Sequence, residues 1–167
     1  PIRVCLTCDE EIGHGVDHVD PKKLDAVCCY TLDGGGADMI DVETFSADQA
    51  VVKITGINIH PSIGKGRMVN AVRAASRFVD LLPRDRLSPE TTDERDGFIH
   101  PYNVSGGVSE TTLPLILRDF DTAKLTDQAD LLRAVAKTVE REFPGVKVDV
   151  KVTPQYRNMA DGLVREP

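Results

Sequence analysis

The chain has 167 residues and a formal net charge of −7, with 41% hydrophobic and 28% charged residues. A chain of this length can bury a core without disulfides, and its composition is that of an ordinary globular protein. The acidic balance argues against nucleic acid as a partner, because phosphate binding needs a basic surface. No apolar run is long enough to cross a bilayer, and no signal peptide is recognisable. The chain starts without methionine in a strand-like pattern, which predicts a piece of a longer protein.

The first 35 residues contain two short apolar runs that we predict to be strands. They cover residues 2–7 and 26–32, and neither alternates cleanly with polar residues. Such runs are typical of parallel strands covered on both faces. Four cysteines lie in or beside these runs: Cys5, Cys8, Cys28 and Cys29. There is no second Cys-x-x-Cys motif, so we expect reduced, buried thiols of a cytosolic protein rather than a four-thiolate zinc site.

Both runs end in acidic residues. Glu10 and Glu11 follow the first run, and Asp33 follows the second, just before three glycines. The carboxyl ends of neighbouring parallel strands meet at one sheet edge, where crowded carboxylates repel one another unless a cation neutralises them. Zinc, manganese, magnesium and cobalt suit such oxygen ligands, and one of two adjacent glutamates can serve as a base. The alternative is that these acids belong to two solvated turns.

From residue 45 the pattern changes to that of a compact α+β unit. We predict the following elements in chain order: a strand over 46–56, a helix over 67–83, a hairpin with arms at 97–107 and 110–120, a helix over 122–143 and a strand over 146–153. This β-α-β-β-α-β order is the split βαβ or ferredoxin-like arrangement. The remaining tail has no pattern of its own, and we expect it to return to the first unit.

Two side chains of this unit are candidate functional residues. His60 lies in the loop between the first strand and the first helix, beside Pro61, where it is either a surface residue or a catalytic one. Arg118 is predicted on the strand face opposite Leu113, Leu115 and Leu117. The arginine either pairs with a neighbouring aspartate or presents its guanidinium to a carboxylate ligand.

Five stretches together carry a family resemblance: "TCDEEIGHG", "YTLDGG", "VKITGINIHPSIGKGRMVNA", "PETTDERDGFIH" and "LILRDFD". In order and spacing they resemble the peptidase T family of tripeptide aminopeptidases, which are dinuclear-zinc exopeptidases. The resemblance implies a ferredoxin-like lid domain inserted in an α/β catalytic domain, of which this chain holds a part. It assigns residues 1–44 to the catalytic segment, 45–154 to the lid and dimerisation domain, and 155–167 to the return segment.

The resemblance also implies roles for five residues. Glu10 would be the general base, and Glu11 and Asp33 would each bind one of two zinc ions per subunit, with manganese or cobalt as alternative metals. His60 would stabilise the oxyanion, reaching into the partner's site in a homodimer. Arg118 and His60 would both bind the small peptide substrate, with Arg118 binding its C-terminal carboxylate.

The sequence departs from the family pattern in two places. Where relatives tend to read "HPG-x-AKG", this chain reads "HPSIGKG", with Ser62 and Gly64 altered around the loop. A His-x-Asp motif, a bridging aspartate and a final histidine ligand are absent from these residues. We therefore expect a fragment of a cytoplasmic metallo-aminopeptidase that is inactive alone. The alternatives are a related amidohydrolase acting on N-acyl amino acids or small amides, and a module that serves only oligomerisation.

Overall fold

A computed structural model describes residues 2–33 and 35–164 of the chain. It divides the chain after Ile40 into two compact units, which are treated separately below. We call residues 2–40 the N-terminal unit, within those described ranges, and residues 41–164 the lid unit. The division falls four residues before the predicted boundary at residue 44.

The N-terminal unit holds two short helical elements in its described residues. A 3-10 turn covers Glu10–Ile12, and α1 covers Pro21–Leu24. Helix α1 begins after Asp20, whose carboxylate accepts the Lys22 N–H at 3.0 Å. Proline at the first helical position suits this start, because its missing N–H has no partner there anyway. No helix in the described residues of either unit is long and apolar enough to span a membrane.

The two strands predicted in the N-terminal unit do not form within its described residues. The stretches 2–7 and 26–32 have no regular structure, and their apolar side chains are exposed; Leu6 is 92% exposed and Leu32 is 99% exposed. Parallel strands with two apolar faces need hydrogen-bonding neighbours and a layer on each face. The described residues of this unit supply neither. The prediction of buried cysteines is wrong for the same reason, since all four thiols are free and exposed.

The lid unit contains an antiparallel sheet. Its strands are β1 (Ser46–Thr55), β2 (Phe98–Pro101), β3 (Ser105–Gly106), β4 (Glu110–Asp119) and β5 (Lys147–Tyr156). Its helices are α2 (Ala71–Asp80), α3 (Lys124–Glu142) and α4 (Ala160–Leu163). The strand order is β2-β4-β1-β5, with the short β3 pairing with β4. This architecture confirms the predicted ferredoxin-like order, with β3 as a small addition to the hairpin.

Helices α2 and α3 cover one face of the sheet. Their apolar residues share a core with alternate residues of β1 and β4; its largest fully buried members include Phe78, Ile54, Leu113, Leu115, Leu117 and Leu132. Helix α2 is shorter than predicted because Asn70 caps it, accepting the N–H groups of Val72 at 2.9 Å and Arg73 at 3.3 Å. The opposite face of the sheet carries no helix among the described residues, which leaves Arg118 there without a covering layer.

A close backbone approach shapes the loop that carries His60. Ile57 and Val69 form an isolated bridge, with the Ile57 N–H donating to the Val69 carbonyl at 2.8 Å. This contact is possible because residue 56 is glycine: a Cβ there would lie 2.2 Å from the Val69 oxygen. The segment between the two bridging residues is therefore closed at its base before α2 begins.

The segment after β5 stays attached to the lid unit. Strand β5 continues to Tyr156, two residues past the predicted boundary at 154. The Asn158 side chain accepts the Thr44 N–H and donates to the Phe120 carbonyl, both at 3.0 Å, and its backbone N–H donates to Ser46 Oγ at 2.9 Å. The two places where the chain enters and leaves the sheet are thus held together by one buried side chain.

Candidate functional site

Glu10 and Glu11 lie in a turn rather than at the end of a strand. The turn starts at Asp9 in the left-handed region (φ 62°) and ends at Gly13, whose φ is 80°. The Gly13 N–H donates to the Glu10 carbonyl at 2.8 Å, closing the turn. Both glutamate side chains are exposed, so the local backbone presents them to solvent.

Asp33 is also exposed, in a stretch without regular structure. Among the described residues, no group of three or more His, Cys, Asp or Glu side chains is placed to hold a metal ion. The two strands predicted to bring Glu11 and Asp33 to a shared sheet edge do not form in the described residues. The residues present do not by themselves fit a two-metal centre.

A cleft of about 780 Å³ occurs within the N-terminal unit. It is lined by residues between Arg3 and Leu24, including both thiols of the Cys-x-x-Cys motif, but not by Glu10, Glu11 or Asp33. Its His14 ring is tied to Asp17, with Nδ1 2.7 Å from the carboxylate oxygen. None of the three predicted acids therefore lines the cleft.

His60 is held in one orientation by Ser62. It precedes the 3-10 turn Pro61–Ile63, and its Nδ1 accepts the Ser62 N–H at 3.3 Å and lies 2.6 Å from Ser62 Oγ. A ring nitrogen that accepts an N–H carries no proton, so the neutral ring carries its proton on Nε2. His60 is exposed. The unusual serine of "HPSIGKG" thus orients the histidine.

Arg118 lies half-buried on the open face of the sheet, as predicted. Its guanidinium donates from one nitrogen to the carbonyls of Leu117 at 2.9 Å and Asp48 at 3.3 Å, and stands 5.4 Å from the centre of the Tyr156 ring. The Gln128 side chain donates to the Arg118 carbonyl at 2.9 Å, which fixes the backbone below. The aromatic ring and the two carbonyl contacts restrict the conformations of the Arg118 side chain but leave its positive charge without a negative partner.

Asp48, whose backbone carbonyl Arg118 contacts, pairs through its side chain with another arginine. Asp48 is 7% exposed, and its carboxylate accepts from Arg157 at 2.8 Å. Arg157 also donates to the carbonyls of Ala47 and Tyr156, each at 2.9 Å. No carboxylate in the described residues forms an ion pair with Arg118, so its other nitrogens can receive an anion. The predicted alternative, a pair with Asp119 or Asp121, is not formed.

The structure places Arg118 beside the start of β1 and His60 in the loop that follows the end of β1. Arg118 pairs with Ala47 at the start of β1, whereas the His60 loop follows Thr55 at its end. Sequence reasoning missed Tyr156 and Arg157, which restrain Arg118 and neutralise its acidic neighbour. The continuing alternation of "VKVDVKVT" into "PQY" was the available signal, but the pairing across the sheet could not be read from it.

Comparison with known proteins gives a consistent assignment. Residues 42–147 match the peptidase dimerisation domain. Peptidase T of Clostridium botulinum is 42% identical over 162 residues, which is 97% of this chain and 40% of that protein. The chain thus spans less than half the length of the curated relatives it matches.

Two solved structures share this fold. A tripeptidase from Staphylococcus aureus has a TM-score of 0.73 and 25% identity, over 91% of this chain and 41% of that one. A dinuclear metal-binding peptidase of the M20 family from Bacillus subtilis shares the fold, with a TM-score of 0.50 and 14% identity, over 68% of this chain and 27% of that one. The family match covers most of the lid unit and more than half of the chain. The chain therefore belongs to the peptidase dimerisation domain family.

Proposed function

We propose that this chain is the lid-bearing part of a tripeptide aminopeptidase, in which Arg118 binds the C-terminal carboxylate of the substrate. The single observation that carries the proposal is the guanidinium without an acidic partner, in a chain 42% identical to a peptidase T over 97% of its length. The curated relatives named peptidase T favour this activity over the amidohydrolase alternative.

The chemistry of Arg118 suits a peptide terminus. A guanidinium can bind a carboxylate through two parallel hydrogen bonds, and the cost of ordering its side chain is already met by Tyr156 and the two carbonyls. Arg157 neutralises Asp48, which would otherwise compete for Arg118. A short peptide bound by its C-terminal carboxylate is positioned from that end, so its length determines where its first peptide bond lies.

The position of His60 favours a site shared between two subunits. Arg118 lies beside the first residues of β1, whereas the His60 loop follows its last residue. The length of β1 therefore separates the two side chains, which is too far for one tripeptide to bridge within a single lid. We propose that His60 donates its Nε2–H to the oxyanion of a substrate held by the partner subunit, in a homodimer formed through the lid. A positioned donor of this kind is worth ~3–4 kcal/mol of transition-state stabilisation.

The N-terminal unit is proposed to supply acidic groups to the catalytic centre of the whole protein. Glu10 is the proposed general base, and Glu11 and Asp33 are proposed metal ligands, with zinc as the preferred metal and manganese or cobalt as alternatives. The described residues do not assemble these ligands, so we derive no reaction step through a metal. Four free, exposed thiols support a proposed cytoplasmic location, because thiols persist in reducing compartments.

The role of Arg118 can be tested in the full-length protein with a tripeptide and its C-terminal amide. Arg118→Met should raise KM for the free tripeptide at least tenfold and leave kinetics on the amide nearly unchanged, because the amide lacks the charge that Arg118 binds. Arg133→Met, on the exposed side of α3, is the matched control and should change neither. Equal losses on both substrates would contradict carboxylate binding.

Two further measurements address the reaction itself. Glu10→Gln should lower kcat about 10²–10⁴-fold while bound metal, measured by elemental analysis, stays at the wild-type level. Turnover close to normal would exclude Glu10 as the base.

An N-acetylated tripeptide should not be cleaved by the full-length protein, since an aminopeptidase requires the free amine. Cleavage of this substrate would favour the amidohydrolase.

A further inference from the structure

A β-bulge interrupts the pairing of β5 with β1 near the end of β5. Asp48 pairs with Pro154, whereas the residue before it, Ala47, pairs with Tyr156. Gln155 is thus one extra residue on β5, and an extra residue reverses the alternation of the strand beyond it. Without the bulge, Tyr156 would point to the side of the sheet that the helices cover. The bulge therefore places Tyr156 on the open face of the sheet.

The bulge brings Tyr156 and Arg118 together across β1. Arg118 pairs with Ala47 from one side and Tyr156 pairs with it from the other, so the three side chains form one row on the open face. The two outer residues of this row are two strand spacings apart, about 10 Å between their Cα atoms. The Arg118 guanidinium nevertheless stands 5.4 Å from the centre of the Tyr156 ring. The arginine side chain therefore extends across β1 at residue 47.

Residue 47 is small enough to allow this crossing. Ala47 has no exposed surface, although no helix covers the open face among the described residues. Neighbouring side chains on that face therefore cover it. A larger side chain at this position would occupy the space that the arginine crosses. A small residue in the middle of the row and an aromatic ring at its far end together direct Arg118 toward β5.

We propose that Ala47 and Tyr156 are positioning residues of the carboxylate site: the alanine lets Arg118 cross β1, and the aromatic ring holds its guanidinium there. The inference rests on the carboxylate binding by Arg118 proposed above and adds the residues that give the guanidinium its position. Neither residue touches the substrate in this role. A guanidinium already held on a ring loses few conformations when it binds a carboxylate, so it binds more tightly than a free one. The ring carries this role and the Tyr156 hydroxyl has no part in it.

Variants of Tyr156 test the ring in the full-length protein, with a tripeptide and its C-terminal amide. Tyr156→Leu should raise KM for the free tripeptide about three- to tenfold with kcat nearly unchanged, and leave the kinetics on the amide at the wild-type level. Tyr156→Phe keeps the ring and should behave as wild type. Tyr102→Leu, the same change at an exposed tyrosine just past β2, is the matched control and should alter neither substrate. A Tyr156→Phe variant as impaired as Tyr156→Leu would overturn the role of the ring.

A change at residue 47 tests the crossing independently. Ala47→Val adds two methyl groups where Arg118 crosses β1, and valine suits a strand. The variant should show the same selective rise in KM for the free tripeptide. Wild-type kinetics on the amide show that the variant is folded, so a loss confined to the free tripeptide reports on the position of the guanidinium.

A double-mutant cycle separates a positioning role from a direct contact with the substrate. Arg118→Met combined with Tyr156→Leu should be no worse than Arg118→Met alone, because the ring acts through the arginine. An additional loss in the double variant would overturn the inference. Wild-type kinetics of Tyr156→Leu and Ala47→Val beside an impaired Arg118→Met would also overturn it and leave the carboxylate binding by Arg118 standing. Equal losses on both substrates in Arg118→Met would overturn that binding and this inference with it.

Discussion

The N-terminal unit and the lid unit use apolar residues of the same kinds with opposite results. In the lid unit, leucines of β4 are fully buried under two helices, and Leu117 has no exposed surface. In the N-terminal unit, Leu32 is 99% exposed and the surrounding apolar run forms no strand in the described residues. Local preference for a strand is similar in both runs, so the presence of pairing neighbours decides the outcome.

The lid unit closes its own core because each of its strands finds its neighbours within the same stretch of chain. Strand β1 pairs with β4 on one side and β5 on the other, and α2 and α3 supply the covering layer. The N-terminal unit lacks such neighbours in its described residues. An apolar sequence run therefore indicates a buried strand only where the fold also supplies its pairing strands and covering layers.

The largest expected difference between the units is in the change in free energy of unfolding when one leucine of each unit is replaced by alanine. Leu117→Ala should lower the free energy of unfolding by about 2–5 kcal/mol, because it removes buried methyl groups and leaves a cavity. Leu32→Ala should change it by less than ~0.5 kcal/mol, because that side chain is already in water. Urea unfolding of the whole chain, followed by circular dichroism, measures both. Similar losses would contradict the contrast drawn between the two units.

Replacing one glycine in each unit by alanine should give a smaller difference in stability between the units. Gly56→Ala should destabilise the lid unit by about 1–3 kcal/mol, since the added methyl would meet the carbonyl oxygens of Val69 and Val108. Gly35→Ala adds a methyl with no atom within 4 Å and should be close to neutral. Thermal unfolding of both variants makes the comparison. A neutral Gly56→Ala would show that the His60 loop can move away from β1.

The smallest effect is expected at the exposed ion pair between α2 and α3. Arg77 binds both Glu142 oxygens, at 2.7 and 3.1 Å, and this hydrogen bonding lowers the pKa of Glu142 from its ordinary value. A lowered folded-state pKa contributes stability above the unfolded pKa and loses it as the pH falls through the folded value. Glu142→Gln should therefore cost slightly more stability at pH 7 than at acid pH.

Chemical unfolding of wild type and Glu142→Gln at several pH values checks this dependence. Asp130→Asn is the matched control, because its pair with Arg133 lies within one helix and joins no two elements. A difference between wild type and Glu142→Gln that stays constant from neutral to acid pH would show that the carboxylate charge contributes nothing.

Much of the lid could be predicted from its sequence. The alternation of "VKVDVKVT" and of the leucines around Arg118 identified strands, and the spacing of apolar residues identified both helices. These patterns succeed because they report local geometry that the final core reinforces. The helix predicted over 67–83 came out shorter because the side-chain cap at Asn70 fixes its start.

The candidate site, like the lid, was only partly predictable from the sequence. The sequence by itself determined which residue types were available: an arginine on the open face, a histidine in a loop, and acids after two apolar runs. Only the tertiary structure decided that Arg157 neutralises Asp48 and leaves Arg118 able to bind an anion, and that Ser62 orients His60. It also showed that the strands predicted to bring Glu11 and Asp33 together do not form in the described residues. Each of these outcomes depends on contacts between residues distant in the chain, or on a side-chain geometry that no sequence period records.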